Sequence, residues 1–323
     1  SAAADGARVA PAAAAPRRTP AAAPAATPGG AMVAEDASLV EALRLAQAAA
    51  RMGVPILICG ETGSGKEMLA RRIHAGSGRP GAYVPVNCGA LPPELFEAEL
   101  FGYVGGSFTG ARREGSAGLI AAADGGTLLL DEVGELPLPL QAALLRFLDD
   151  ALVRPVGGTA ARRVDVQLLA ATHVDLDAEV AARSFRSDLL YRLDTVRVSL
   201  PPLRLRSDFA LAVRHLLDGL HPGMRIDDAA VARLAAHDWP GNFRELRSVL
   251  TRALLRAQGP MLGPADFEAL LPAAASRPAS GLQQAAAEAI RREYERGGRS
   301  VSEAARRLGV SRTTVYRHLG GRR

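Results

Sequence analysis

The chain has 323 residues, 48% of them hydrophobic and 23% charged, with a formal net charge of +5, enough for two domains or one large and one small. No apolar run is long and uncharged enough to span a bilayer, so no membrane partner is expected, and two cysteines are too few for a disulfide framework. The charge is uneven: from Arg291 onward ten arginines face three glutamates, which leaves the body near neutral and points to a nucleic-acid-binding end.

Residues 1–31 are almost entirely Ala, Pro and Gly with a few polar residues, a composition that cannot bury a core and reads as a linker. They lack the basic-flanked apolar core of a secretion signal. The opening Ser1 suggests the C-terminal part of a longer protein, and a reducing cytoplasm fits the cysteine usage. Ser38-Leu39-Val40-Glu41 has the form of a capping box, opening a helix that ends near Gly53. Apolar β-type runs then alternate with helical stretches, with strands expected near 54–59, 83–87, 127–131, 166–171 and 195–200. Short helices between buried strands imply an α/β fold with a parallel sheet covered on both faces, over 32–202. Cys59 and Cys88 fall on or after such strands and read as small core residues. From 203 to 271 the pattern is helical throughout, the mark of a small helical subdomain. Residues 272–281 form a second Ala/Pro/Ser linker, and 282–323 a last helical unit.

Lys66 is the only lysine. It closes Gly60-Glu61-Thr62-Gly63-Ser64-Gly65-Lys66, a glycine-rich turn between an apolar strand and a helix start. Glycines let main-chain N–H groups wrap a phosphate, and the ammonium adds a compact charge, so a nucleoside triphosphate is the implied ligand. Gly126-Thr127-Leu128-Leu129-Leu130-Asp131-Glu132 delivers two acids at a strand end: Asp131 to hold Mg²⁺ and Glu132 to polarise an attacking water. Asn87, Asp131, Glu132 and Thr172-His173 all end strands. In a parallel sheet such ends share one edge, where ligands bind. Glu67 stands where the usual Mg²⁺-touching hydroxyl would follow the lysine, so metal binding leans on Asp131. Phe108, amid small residues, is either an exposed contact or a plug packed on the core.

Gly106-Ser107-Phe108-Thr109-Gly110-Ala111 resembles the GAFTGA loop of sigma-54-dependent transcription activators of the AAA+ superfamily, with serine for the first alanine. The resemblance runs from about Met32 to the C-terminus and favours the exposed contact, since in that family this loop touches sigma-54. The fold it implies is an AAA+ parallel-sheet P-loop ATPase with a helical lid. Gly60 to Lys66 with Glu67 matches the family's ATP-binding loop. Val86-Asn87-Cys88 resembles the segment whose asparagine restrains the catalytic glutamate, implying an Asn87–Glu132 pair. Phe185-Arg186-Ser187-Asp188-Leu189-Leu190-Tyr191-Arg192-Leu193 resembles the arginine-finger segment, so Arg186 and Arg192 would reach a neighbour's nucleotide in a hexameric or heptameric ring. Trp239-Pro240-Gly241-Asn242-Phe243-Arg244-Glu245-Leu246 resembles the second sensor, with Arg244 reporting nucleotide state and Trp239 packing the lid. Ala171-Thr172-His173 departs from the usual Ala-Thr-Asn, a feature associated with the acetoin-catabolism branch.

Residues 302–319 read as a helix-turn-helix: Ala305 lets helices approach, Gly309 permits the turn, and Arg312, Thr313, Thr314 and Arg317 face outward for bases and phosphates. The segment resembles the family's Fis-type DNA-binding module. The expectation is an ATP- and Mg²⁺-dependent activator that binds enhancer double-stranded DNA and remodels the closed complex of sigma-54 RNA polymerase. Its alternatives are another AAA+ remodelling ATPase, or a DNA-binding repressor with a structural nucleotide pocket.

Overall fold

The computed structural model describes residues 36–90, 92–107, 112–271, 290, 292–294 and 307–308. The expected linkers 1–31 and 272–281, loop residues Phe108 to Ala111, and DNA-contact residues Arg312, Thr313, Thr314 and Arg317 lie outside them. Helix α1 (Ala37–Arg51) packs along α2 (Lys66–Ser77). Its cap lies before the expected box: the Asp36 carboxylate accepts the Leu39 N–H at 3.3 Å. Asp36 is also tied to Ser207, its Oδ2 accepting the Ser207 hydroxyl at 2.8 Å.

In chain order come β1 (Ile56–Cys59), α2, β2 (Tyr83–Asn87), α3 (Pro93–Phe101), α4 (Leu119–Ala122), β3 (Thr127–Asp131), α5 (Leu138–Asp150), β4 (Leu152–Val153), β5 (Arg162–Arg163), β6 (Gln167–Thr172), α6 (Leu176–Ala181), α7 (Ser187–Leu193) and β7 (Val196–Ser199). All five strands expected from the sequence form one sheet in the order β2-β3-β6-β1-β7. Every pairing in it is parallel, with Ile56 opposite Leu169 and Asn87 opposite Asp131. The unbroken Leu128-Leu129-Leu130 and Leu168-Leu169-Ala170-Ala171 runs follow from burial on both faces. Leu57, Leu128, Leu130, Leu168 and Ala170 face a core shared with α3, α5 and α7, while Ile56, Ile58, Leu129, Leu169 and Ala171 face α1 and α2. Strands β4 and β5 make a short antiparallel ribbon that periodicity did not flag.

The lid comprises α8 (Phe209–Leu220), β8 (Arg225–Ile226), α9 (Asp228–Ala235), α10 (Asn242–Leu254) and β9 (Met261–Leu262). It is not helical throughout, since β8 and β9 pair in parallel; two-residue strands carry no period to read. Trp239 is fully buried at its centre and donates Nε1–H to the Leu234 carbonyl at 2.8 Å. Where lid and sheet domain meet, Arg206 and Asp208 form a buried ion pair at 2.6 Å, and the Arg206 guanidinium lies 5.3 Å from the Phe243 ring centre.

Candidate functional site

The loop from β1 to α2 curls through two left-handed glycines, Gly63 at φ 74° and Gly65 at φ 101°. It is tied to the sheet because the Gly60 N–H donates to the Thr172 carbonyl over 3.1 Å. α2 begins directly at Lys66, so its first N–H groups, unpaired within the helix, border the loop. Lys66 is buried, and its Nζ donates to the carbonyls of Gly60 at 3.0 Å and Glu61 at 3.4 Å. A phosphate oxygen would be a stronger acceptor than either neutral carbonyl. The Ser64 hydroxyl is buried without a hydrogen-bond partner among the described residues, an orphan that a ligand oxygen would satisfy.

Asp131 ends β3 and is half-buried, its Oδ1 accepting the Glu132 N–H at 3.1 Å. Burial first, then repulsion from Glu132, pushes its carboxyl up from the usual aspartate value, against attraction from Lys66. A bound cation would relieve that strain. Among the described residues no group of three or more His, Cys, Asp or Glu is placed to hold a metal. The donor set still suits Mg²⁺, which takes one or two carboxylates together with substrate phosphates rather than an all-protein cage.

Glu132 adopts a left-handed backbone, φ 55°, and its Oε2 meets Nδ1 of His173. The expected Asn87–Glu132 pair is not formed. β3 lies between β2, which ends at Asn87, and β6, which leads into His173, and the glutamate is engaged on the β6 side. Asn87 instead caps its own turn, Oδ1 accepting the Gly89 N–H at 2.9 Å.

The two loop glutamates turn away from the loop's interior. Glu67 pairs with Arg71 at 2.8 Å on the surface of α2, and Glu61 accepts both arms of Arg204, at 2.6 and 2.8 Å. The backbone of Arg244, in the first turn of α10, borders the loop: a Cβ on Gly63 would lie 3.2 Å from Arg244 Cβ and 2.4 Å from the Gly241 carbonyl oxygen. Thr62 meets the lid too, its carbonyl accepting Asn242 Nδ2–H at 3.1 Å. Arg204 and Asn242 were missed by sequence reasoning. No spacing rule ties position 61 to positions 204 and 242.

Arg186 and Arg192 are not joined to this site by any bond among the described residues. Arg186 immediately precedes α7 and forms a two-armed pair with Asp188, at 3.0 and 2.7 Å. Arg192, in the last turn, donates to the Leu148 carbonyl and pairs with Asp149, both at 3.3 Å. Both side chains are about half exposed. Of the expected sigma-54 loop, Gly106 and Ser107 are described and exposed, Gly106 at φ 77°. Its base is braced: Tyr103 bridges Ser116, and the Val104 N–H donates to the Val156 carbonyl at 3.0 Å, on the segment joining β4 to β5.

Residues 32–199 match the family described as Sigma-54 interaction domain, residues 206–284 the AAA+ ATPase lid domain, and residues 283–319 the Homeodomain-like domain. The acetoin catabolism regulatory protein of Cupriavidus necator is 44% identical over 311 residues, covering 90% of this chain and 46% of that protein. A Geobacillus stearothermophilus protein named limonene hydroxylase is 40% identical over 304 residues, again across 90% of this chain and 56% of its own length. Both alignments use nearly the same part of this chain, so the two relatives share one region despite their different names. The chain thus spans about half the length of these relatives. The crystal structure of NtrX from Brucella abortus in complex with ATP superposes with a TM-score of 0.64 at 32% identity, covering 91% of this chain and 70% of that one. Sheet order, loop, lid and the match over 32–199 agree: the chain belongs to the sigma-54-dependent activator family, built on the AAA+ fold.

Proposed function

We propose that this chain is the ATP-hydrolysing, DNA-binding part of a transcription activator that remodels the closed complex of sigma-54 RNA polymerase to the open complex. The observation that carries this is the gathering of Lys66, Asp131, Glu132 and His173 at one end of a parallel sheet, within a segment that matches the sigma-54 interaction family. Gly60, Glu61, Thr62, Gly63, Ser64, Gly65 and Lys66, with Glu67 at the start of α2, would hold the phosphates of ATP. Asp131 would hold Mg²⁺, which would supply charge neutralisation at the phosphates. Glu132 polarises the attacking water, and His173 holds the other side of its carboxylate as a positioning residue. Asn87 stands on the opposite flank of the acids. Arg244 senses nucleotide state from the lid. Arg186 and Arg192 serve the site of a neighbouring subunit in a hexameric or heptameric ring, where such a guanidinium contributes roughly 10³–10⁵ in rate.

Gly106, Ser107, Phe108, Thr109, Gly110 and Ala111 form the contact with sigma-54, on a base braced by residues 103–104 and 156. Arg312, Thr313, Thr314 and Arg317 read enhancer double-stranded DNA. The division follows the sequence: linker 1–31, α/β ATPase 32–202, lid 203–271, linker 272–281 and DNA-binding unit 282–323. The chain acts in the cytoplasm. The test is a native gel with purified sigma-54 and an ATP transition-state analogue. Capture that requires the analogue and is lost in Thr109→Ala is expected. Continued ATP hydrolysis without capture would keep an AAA+ motor and overturn its assignment to sigma-54.

A further inference from the structure

Glu61 poses a chemical puzzle: it places a carboxylate inside a loop whose backbone and Lys66 favour an anion. Left in the loop, that charge would oppose a phosphate. The structure turns it outward, onto Arg204 at 2.6 and 2.8 Å and onto Asn242 Nδ2–H at 3.1 Å. Asn242 is fully buried at the start of α10, with a left-handed backbone at φ 50°. Its side-chain amide is fully committed: Nδ2 donates to Glu61 and to the Thr62 carbonyl, both at 3.1 Å, and Oδ1 accepts the Leu203 N–H at 2.7 Å. Next along, the Phe243 N–H donates to the Gly63 carbonyl at 3.0 Å. Three successive loop residues are therefore bonded to the lid and to the segment leading into it.

We propose that Glu61 is a positioning residue that, through Arg204 and Asn242, couples occupancy of the phosphate loop to placement of the lid. The proposal rests on the nucleotide-site reading above. The Glu61 and Arg204 side chains are 41% and 32% exposed, and an ion pair so placed contributes little to folding stability by itself. Its value is geometric. Two parallel N–H···O bonds fix the carboxylate's orientation, and buried Asn242 carries that orientation into the first turn of α10. Anything that orders the loop orders the lid, and by linkage the lid's placement alters the loop's affinity by the same factor.

The test uses the full chain with Glu61→Gln, Arg204→Met and the double variant. A non-hydrolysable ATP analogue is titrated against the emission of Trp239, the only tryptophan and buried in the lid. Each single change should weaken binding about fivefold or more and shrink the emission change on binding. The double variant should lose no more than either single change, because both break one connection. Losses that multiply in the double variant, or singles that bind like the wild type, would overturn the coupling. Glu61→Gln keeps the shape and an acceptor for Asn242. Should Arg204→Met fail to fold, Arg204→Lys retains the charge but not the two-armed geometry. It should then bind more weakly than the wild type, and equal affinity would again overturn the proposal. A wild-type chain that binds no nucleotide would instead sink the site reading itself.

Discussion

Glu132 sits between two strand ends, each carrying a side chain able to hold its carboxylate. The resemblance to known activators pointed to Asn87; the structure pairs the glutamate with His173 and leaves Asn87 on its own turn. A carboxylate oriented from one side by an imidazole keeps its second oxygen for a water, the arrangement a general base requires. We therefore expect His173→Ala to lower kcat for ATP by about tenfold or more with analogue affinity retained, and His173→Asn to recover part of the loss. Steady-state hydrolysis and an analogue titration check this together. An unchanged kcat in His173→Ala would return the role to Asn87.

At the level of elements, the junction between α1, the sheet domain and the lid depends on buried charge. Arg206 and Asp208 are paired at 2.6 Å with both side chains nearly inaccessible, and Asp36, the cap of α1, accepts the Ser207 N–H at 3.1 Å and hydroxyl at 2.8 Å. Removing one member of such a pair strands the other in low dielectric, which costs about 3–5 kcal/mol, far more than loss of a surface pair. Asp208→Ala should lower stability by about that amount in urea unfolding. The surface pair Arg44–Glu41 is the control: Glu41→Ala should leave the urea midpoint nearly unmoved. Equal effects of the two substitutions would contradict this account of the junction.

Over the whole molecule, ten arginines and three glutamates lie beyond residue 290, while the rest of the chain is near neutral. If residues 282–323 carry the DNA-binding work, their removal should abolish enhancer binding in a gel shift and preserve ATP hydrolysis at high protein concentration. A retained shift would show that the basic end has another partner. Among the described residues Arg186 pairs with Asp188, and Arg192 with the Leu148 carbonyl and Asp149, and both arginine side chains lie about half exposed. If these arginines complete a neighbour's site, as proposed, hydrolysis per subunit should fall on dilution.

The five-stranded sheet was legible in the amino-acid order, because strands buried on both faces must be continuously apolar and that signal is local. Equally legible were the glycine-rich turn between β1 and α2, because few residue types permit its curl, and the acids at the end of β3, because a strand end fixes where they emerge. Tertiary structure alone decided the partners. Glu61 with Arg204 and Asn242, Glu132 with His173 rather than Asn87, and Asp36 with Ser207 join positions 41 to 181 residues apart. Each is chosen by where a side chain lands once the sheet and lid have packed, and no periodicity in the chain encodes that distance.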